Sequence, residues 1–197
     1  MSSHLRPTSR LAIAALAFSA VAACAKKETP ADTTAAAPPP PPPAAAPAIN
    51  DAQIAHIVVT ANAIDSSAGV VAKAKGSAKA VKDFAQTMIA DHGGVNKQAV
   101  ALATKLGVSP EDNDVSRGLK SGADANVANL NTLSGAAFDK AYIDHEVEYH
   151  QAVLDALDKT LIPGAQNAEL KGLLEKARPA FVAHLDRAKS IQASLPK

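Results

Sequence analysis

Apolar side chains recur at spacings of three and four through most of the chain after residue 50, and nowhere does the clear alternation of a half-buried strand appear. The first such stretch, Asp51 to Lys75, sets Ile57, Ala61, Ile64, Ala68 and Val71 on one face, and Gly76-Ser77 closes it. The second runs from about Ala78 to Leu106, with Val81, Ala85, Met88, His92, Val95, Ala99, Leu102 and Leu106 on one stripe. Gly107, with Pro110 just beyond, ends it in the order that helix C-termini favour. From Glu111 to Leu133 the pattern is poorer and interrupted by Gly118 and Gly122, yet Val115, Leu119, Ala123, Val127 and Leu130 can line a surface helix that serves as a crossover.

Ser134 is placed to cap the next helix, which carries Ile143, Val147, His150, Leu154, Leu157 and Leu161 before Pro163-Gly164 breaks it. The last helix, about Gln166 to Ser194, carries Leu170, Leu174, Ala177, Phe181, His184, Ala188 and Ile191, with a kink expected at Pro179. Two helical hairpins joined by one long connection predict an all-α, ferritin-like four-helix bundle with an extra crossover helix over residues 50–197. The short breaks at Gly76 and Pro163 favour antiparallel packing within one chain over an intermolecular coiled coil.

The first 49 residues have another character. Arg6 and Arg10 precede an apolar run from Leu11 to Ala23, the layout of a secretory signal, and the run is too short to span a bilayer. Val21-Ala22-Ala23-Cys24 resembles the bacterial lipobox, in which small residues precede a cysteine that is acylated and becomes the new N-terminus. Ordinary cleavage after Ala25 is the alternative, because Ala23-Cys24-Ala25 also fits a small-x-small site. Cys24 is the only cysteine, so no intrachain disulfide can form, and a lipid accounts for its place at the end of the apolar run. Ala25 after it, by resemblance to lipoprotein sorting, points to the outer membrane. The expectation is an exported protein of the outer membrane or periplasm, joined to the membrane through a lipid anchor.

Residues 25–49 are rich in alanine and include six consecutive prolines, Pro38 to Pro43, which favour extended polyproline II. They read as a disordered Ala/Pro-rich linker able to hold the bundle up to roughly 70 to 80 Å from its anchor. Loss of Arg6 and Arg10 from the 20 basic residues leaves 18 against 19 acidic ones, and no basic face argues for nucleic acid. No protein partner is indicated.

Chemistry is suggested by histidines on the stripes. Of six histidines, His92, His150 and His184 occupy positions where Leu or Val would be expected, and His145 adjoins them. Asp91, Glu146 and Glu148 supply carboxylates beside them, and Asp65 lies near the seam of the first helix. A buried imidazole must hydrogen-bond or bind a metal, and bundle interiors commonly house carboxylate and histidine metal sites.

Counting from the hairpin turns at about 1.5 Å per residue puts Glu146 within about 5 Å of the level of His184, and Asp65 within about 6 Å of that of His92. The same count leaves His150 roughly 10 Å from the His184 layer. Gly93-Gly94 after His92 costs helix propensity, so it allows either a close approach or a local bulge. No Glu-x-x-His occurs, which disfavours a dinuclear carboxylate oxidase. No nucleophile elbow and no phosphate-cradling loop is present, which favours a non-enzymatic role.

The segments Val81 to His92, Leu133 to Tyr142, Glu146 to His150 and Pro179 to Leu185 resemble the bacterial domain of unknown function 4142, a family of predicted exported or outer-membrane proteins related to ferritin-like bundles. The resemblance covers about residues 50 to 195. It implies counterparts of the family's helix histidines at Asp91-His92, His150 and His184, while Asp65 stands where the family tends to carry glutamate. Two readings follow: an envelope protein with a structural, interaction or stress-related role, and a bundle that binds a divalent metal, Fe or Zn, through core histidines and carboxylates. Histidines satisfied by hydrogen bonds across the core fit the first.

Overall fold

The computed structural model describes residues 49–196; the apolar run, Cys24 and the proline run lie outside the described residues. Among the described residues there are helices and no strands. They are α1 (Asp51–Lys75), α2 (Lys79–Leu106), α3 (Asp114–Thr132), α4 (Gly135–Ala156), a π-helical stretch Leu157–Leu161, the single turn α5 (Ile162–Gly164) and α6 (Ala168–Ser194). α1 pairs with α2 and α4 with α6. The connections between them are short, as antiparallel neighbours require, and α3 is the crossover between the two hairpins.

Local chemistry sets the helix ends. Asn50 opens α1 with a capping box in which its side chain accepts from the Gln53 N–H at 2.8 Å and the Gln53 side chain accepts from the Asn50 N–H. Asn113 and Ser116 do the same for α3, and Asn167 caps α6. Gly107 ends α2 in the left-handed region at φ 64°. Two ends are capped from elsewhere in the chain. Asp139 of α4 accepts the N–H groups of Ser77 and Ala78 ahead of α2, at 2.8 and 2.7 Å. Asp51 of α1 accepts those of Gln166 and Asn167 ahead of α6. Ser134 does occupy the N-cap of α4, but its hydroxyl makes no capping bond.

The α1–α2 turn is tight, since a Cβ on Gly76 would sit 2.6 Å from the Ala72 carbonyl oxygen. At Gly93 and Gly94 a Cβ would meet nothing within 4 Å, and α2 runs through both without interruption. They serve neither a close approach nor a bulge. α6 likewise continues through Pro179, whose ring lies on the exposed side.

The buried apolar side chains form two clusters. One gathers Ile54, Ile57, Val58, Val153, Leu154, Leu157, Leu161, Leu170, Leu174 and Phe181 near the α4–α6 turn. The other gathers Ala68, Ala72, Val81, Phe84, Met88, Phe138, Tyr142, Ile143, Ala188 and Ile191 near the α1–α2 turn. Between them, on each of the four bundle helices, lie buried polar residues: Asn62 and Asp65 on α1, His92 on α2, Glu146 and His150 on α4, and His184 on α6.

The inward face of α1 is rotated from the expected one. Asp65 is buried, while Ile64 and Val71 are only half-buried, Ile64 facing a groove that it shares with α3. α3 itself buries only Ser116 and Leu130, as befits a surface crossover.

Candidate metal centre

The polar layer sits near the middle of each helix. Asp65, His92 and His150 are at most 1 % exposed, so every polar atom among them must find a partner within the protein or hold a ligand. The hydrogen bonds that do form fix the tautomers. Asn62 Nδ2 donates to the Val58 carbonyl at 2.8 Å, so it is Asn62 Oδ1 that faces His92 Nδ1 at 2.9 Å. An amide oxygen can only accept, so the proton of neutral His92 lies on Nδ1 and Nε2 carries a lone pair. His150 Nδ1 lies 3.0 Å from the Glu146 carbonyl oxygen, another pure acceptor, which again leaves the lone pair on Nε2. His184 Nε2 lies 2.9 Å from an Asp91 carboxylate oxygen, which leaves its lone pair on Nδ1.

The three nitrogens so exposed, His92 Nε2, His150 Nε2 and His184 Nδ1, are buried and have no hydrogen-bond partner among the described residues. The three side chains each offer a ligand atom within 4.8 Å of the others, and the ring centroids stand 5.1 to 5.5 Å apart. Asp65, Glu146 and His150 form a second such group. Asp65 Oδ2 bridges the two, 3.1 Å from His92 Nε2 and 3.5 Å from His150 Nε2, and both Asp65 oxygens lack an aligned donor. A histidine that gives one N–H to a carbonyl or carboxylate while presenting the other nitrogen to a shared point is the arrangement that orients metal ligands.

Burial governs the protonation of this layer. It pushes the Asp65 carboxyl well above the usual carboxylate range, an effect the neighbouring Glu146 reinforces, and it lifts Glu146 to about 8. It lowers His92 to about 2, and it lowers His184 as well, against the opposing pull of Asp91. The metal-free layer is therefore neutral at these positions, with carboxylic acids beside uncharged imidazoles.

Of the residues the sequence singled out, Asp65, His92, Glu146, His150 and His184 come together. His150 is much closer to His184 than the count from the turn allowed. The reason is that α4 does not break at Pro163: the π-helical stretch and α5 carry it on to Gly164, so the turn centres on Gln166. From there His150 lies 16 residues back and His184 18 forward, a mismatch of only about 3 Å. Glu146 instead meets Asp65 and His150. Asp91 is outside the cluster as a partner of His184, with its side chain 48 % exposed, and His145 is stacked on Tyr149 on the outer flank of α4.

Asn62, which fixes the His92 tautomer, is absent from the sequence-derived set. Its only signal was a polar residue three before Asp65, on the same helix face. Phe181, with its ring centroid 5.0 Å from that of His92, is the apolar wall of the site.

The sequence profile of a family described as a domain of unknown function (DUF4142) matches residues 36–191. The chain belongs to that family. No curated protein and no solved structure gives a significant match. DUF4142 carries no assigned activity, so this member is a helical bundle whose chemistry has to come from its own residues. The polar layer of this DUF4142 bundle is where such chemistry is concentrated.

Proposed function

We propose that this DUF4142 bundle binds one divalent transition-metal ion, Zn²⁺ or Fe²⁺, through His92, His150 and His184 with Asp65 as the carboxylate ligand and Glu146 as its neighbour. The observation that carries this reading is the trio of buried, unpartnered imidazole nitrogens, each with its proton held on the far side of the ring. A purely structural polar layer would place those nitrogens on donors, because an orphaned buried polar atom costs about 1–3 kcal/mol. Imidazole and carboxylate together suit Zn²⁺ and Fe²⁺. Charge fits as well: two ionised carboxylates balance one dication, so a loaded layer is as neutral as one with both carboxyls protonated.

Protein purified without chelator is expected to carry about one equivalent of metal by elemental analysis. A His92→Ala/His184→Ala double variant is expected to lose it. If the wild type holds no metal, and neither Zn²⁺ nor Fe²⁺ raises its unfolding temperature, the reading fails.

We further propose, from Val21-Ala22-Ala23-Cys24, that the chain is exported and held to the outer membrane by a lipid on Cys24, with residues 25–49 as its spacer. A Cys24→Ser variant is then expected in the soluble fraction of fractionated cells. Retention of that variant in membranes would exclude the lipid.

A further inference from the structure

Next to the histidine layer, on its α4–α6 turn side, the bundle holds a cavity of about 180 Å³. It shares Asn62 and Phe181 with the polar layer, and among the described residues no charged side chain lines it. The polar groups on its inner wall are already engaged. Asn62 is bound to Val58 and His92, and Tyr149 donates its hydroxyl to the Ala61 carbonyl oxygen at 3.0 Å. A buried water needs two to four polar partners, and this wall has none to spare. Natural cores seldom keep voids larger than a water molecule, because an unfilled cavity destabilises in proportion to its volume. Here the space is kept open by small side chains, Ala61, Ala156 and Ala177, where larger ones would close it.

The π-helical stretch adds an independent indication. Leu157, Thr160 and Leu161, three of its five residues, line the cavity. An inserted π turn widens a helix at a cost in regular hydrogen bonding, and such turns occur frequently at functional sites. Val115, Ala152 and Thr160 are exposed lining residues and mark the mouth, between the start of α3 and the end of α4.

We propose that this cavity binds an uncharged apolar small molecule, about the size of a benzene ring with a short substituent, that enters past Thr160. The size follows from the volume, since an apolar cavity of about 150 Å³ accommodates benzene. The exclusion of charge follows from a wall on which the described residues offer no counter-ion, and whose hydroxyl at Thr160 lies at the exposed mouth rather than on the inner wall. The proposal stands without a bound metal, so it is tested on chelator-treated protein.

The test is titration with toluene, followed by NMR of the methyl and aromatic groups of Leu157, Leu174 and Phe181, with benzoate as the charged control of similar shape. Toluene is expected to give saturable shifts at these residues, and benzoate none. Ala177→Leu and Ala156→Leu each fill the space and are expected to weaken toluene binding about tenfold or more while circular dichroism stays helical. Non-saturating toluene shifts, equal binding of benzoate, or unchanged affinity in a folded filling variant would each overturn the proposal. Should both variants unfold, the comparison of toluene with benzoate on the wild type decides it alone.

Discussion

Three imidazoles, two carboxyl groups and one amide account for the character of this protein's centre, and the amide is the least conspicuous of them. Asn62 spends its N–H on Val58 and its oxygen on His92, and so leaves the His92 lone pair on Nε2, inside the buried layer. Asn62→Ala removes that acceptor and leaves a buried N–H behind. The expected cost is about 1–3 kcal/mol of stability, read from urea unfolding. The expected loss of zinc affinity is about 10- to 100-fold, read by competition with a chromophoric chelator, as for other residues that orient a metal-bound histidine. A variant that loses stability but keeps full zinc affinity would show that Asn62 serves only the fold.

At the scale of elements, the bundle tolerates an oddity inside α2. Gly93 and Gly94 follow the buried His92 in mid-helix, yet neither touches a neighbour that a methyl group would disturb. Gly93→Ala and Gly94→Ala should therefore each stabilise the protein by about 0.5–1 kcal/mol, through the smaller backbone entropy lost on folding. Equilibrium denaturation checks this, and a destabilised variant would mean that α2 departs from regular helix there. The π-helical stretch acts in the opposite sense. It continues as α5 to Gly164, within the expected Pro163-Gly164 break, and the turn beyond it, centred on Gln166, sets His150 level with His184.

For the molecule as a whole, the protonation of the polar layer makes stability depend on pH and on metal in linked ways. His92 holds no proton in the fold until about pH 2, whereas the unfolded chain takes one up below about 6.5, so stability falls as pH drops through that window. Glu146 keeps its proton to about pH 8 in the fold but loses it above about 4.5 when unfolded, so stability falls as pH rises between those values. Asp65 acts in the same direction. Each group contributes a slope of up to about 1.4 kcal/mol per pH unit within its window. Metal-free protein should thus unfold at a lower temperature at pH 8 than at pH 5.5, by scanning calorimetry. With Zn²⁺ present the trend should reverse, because the ion displaces the carboxyl protons. An alkaline limb that is flat without metal would contradict protonated carboxyls in the core.

The sequence by itself determined the helices, their order and the crossover, because three-four periodicity and the glycine and proline breaks are local signals that each segment carries alone. It also placed His92, His150 and His184 on inward faces. Their meeting was a tertiary outcome, because the height of a residue in a bundle depends on where the neighbouring turn is centred, and the turn after Gly164 runs on to Asn167 before α6 begins. Which face of α1 turned inward, with Asp65 buried and Ile64 left to the groove beside α3, was decided by the packing of the helices against one another. The direction of each imidazole lone pair was likewise set only in the fold. It rests on single hydrogen bonds to Asn62, to a backbone carbonyl and to Asp91, two of which join separate helices.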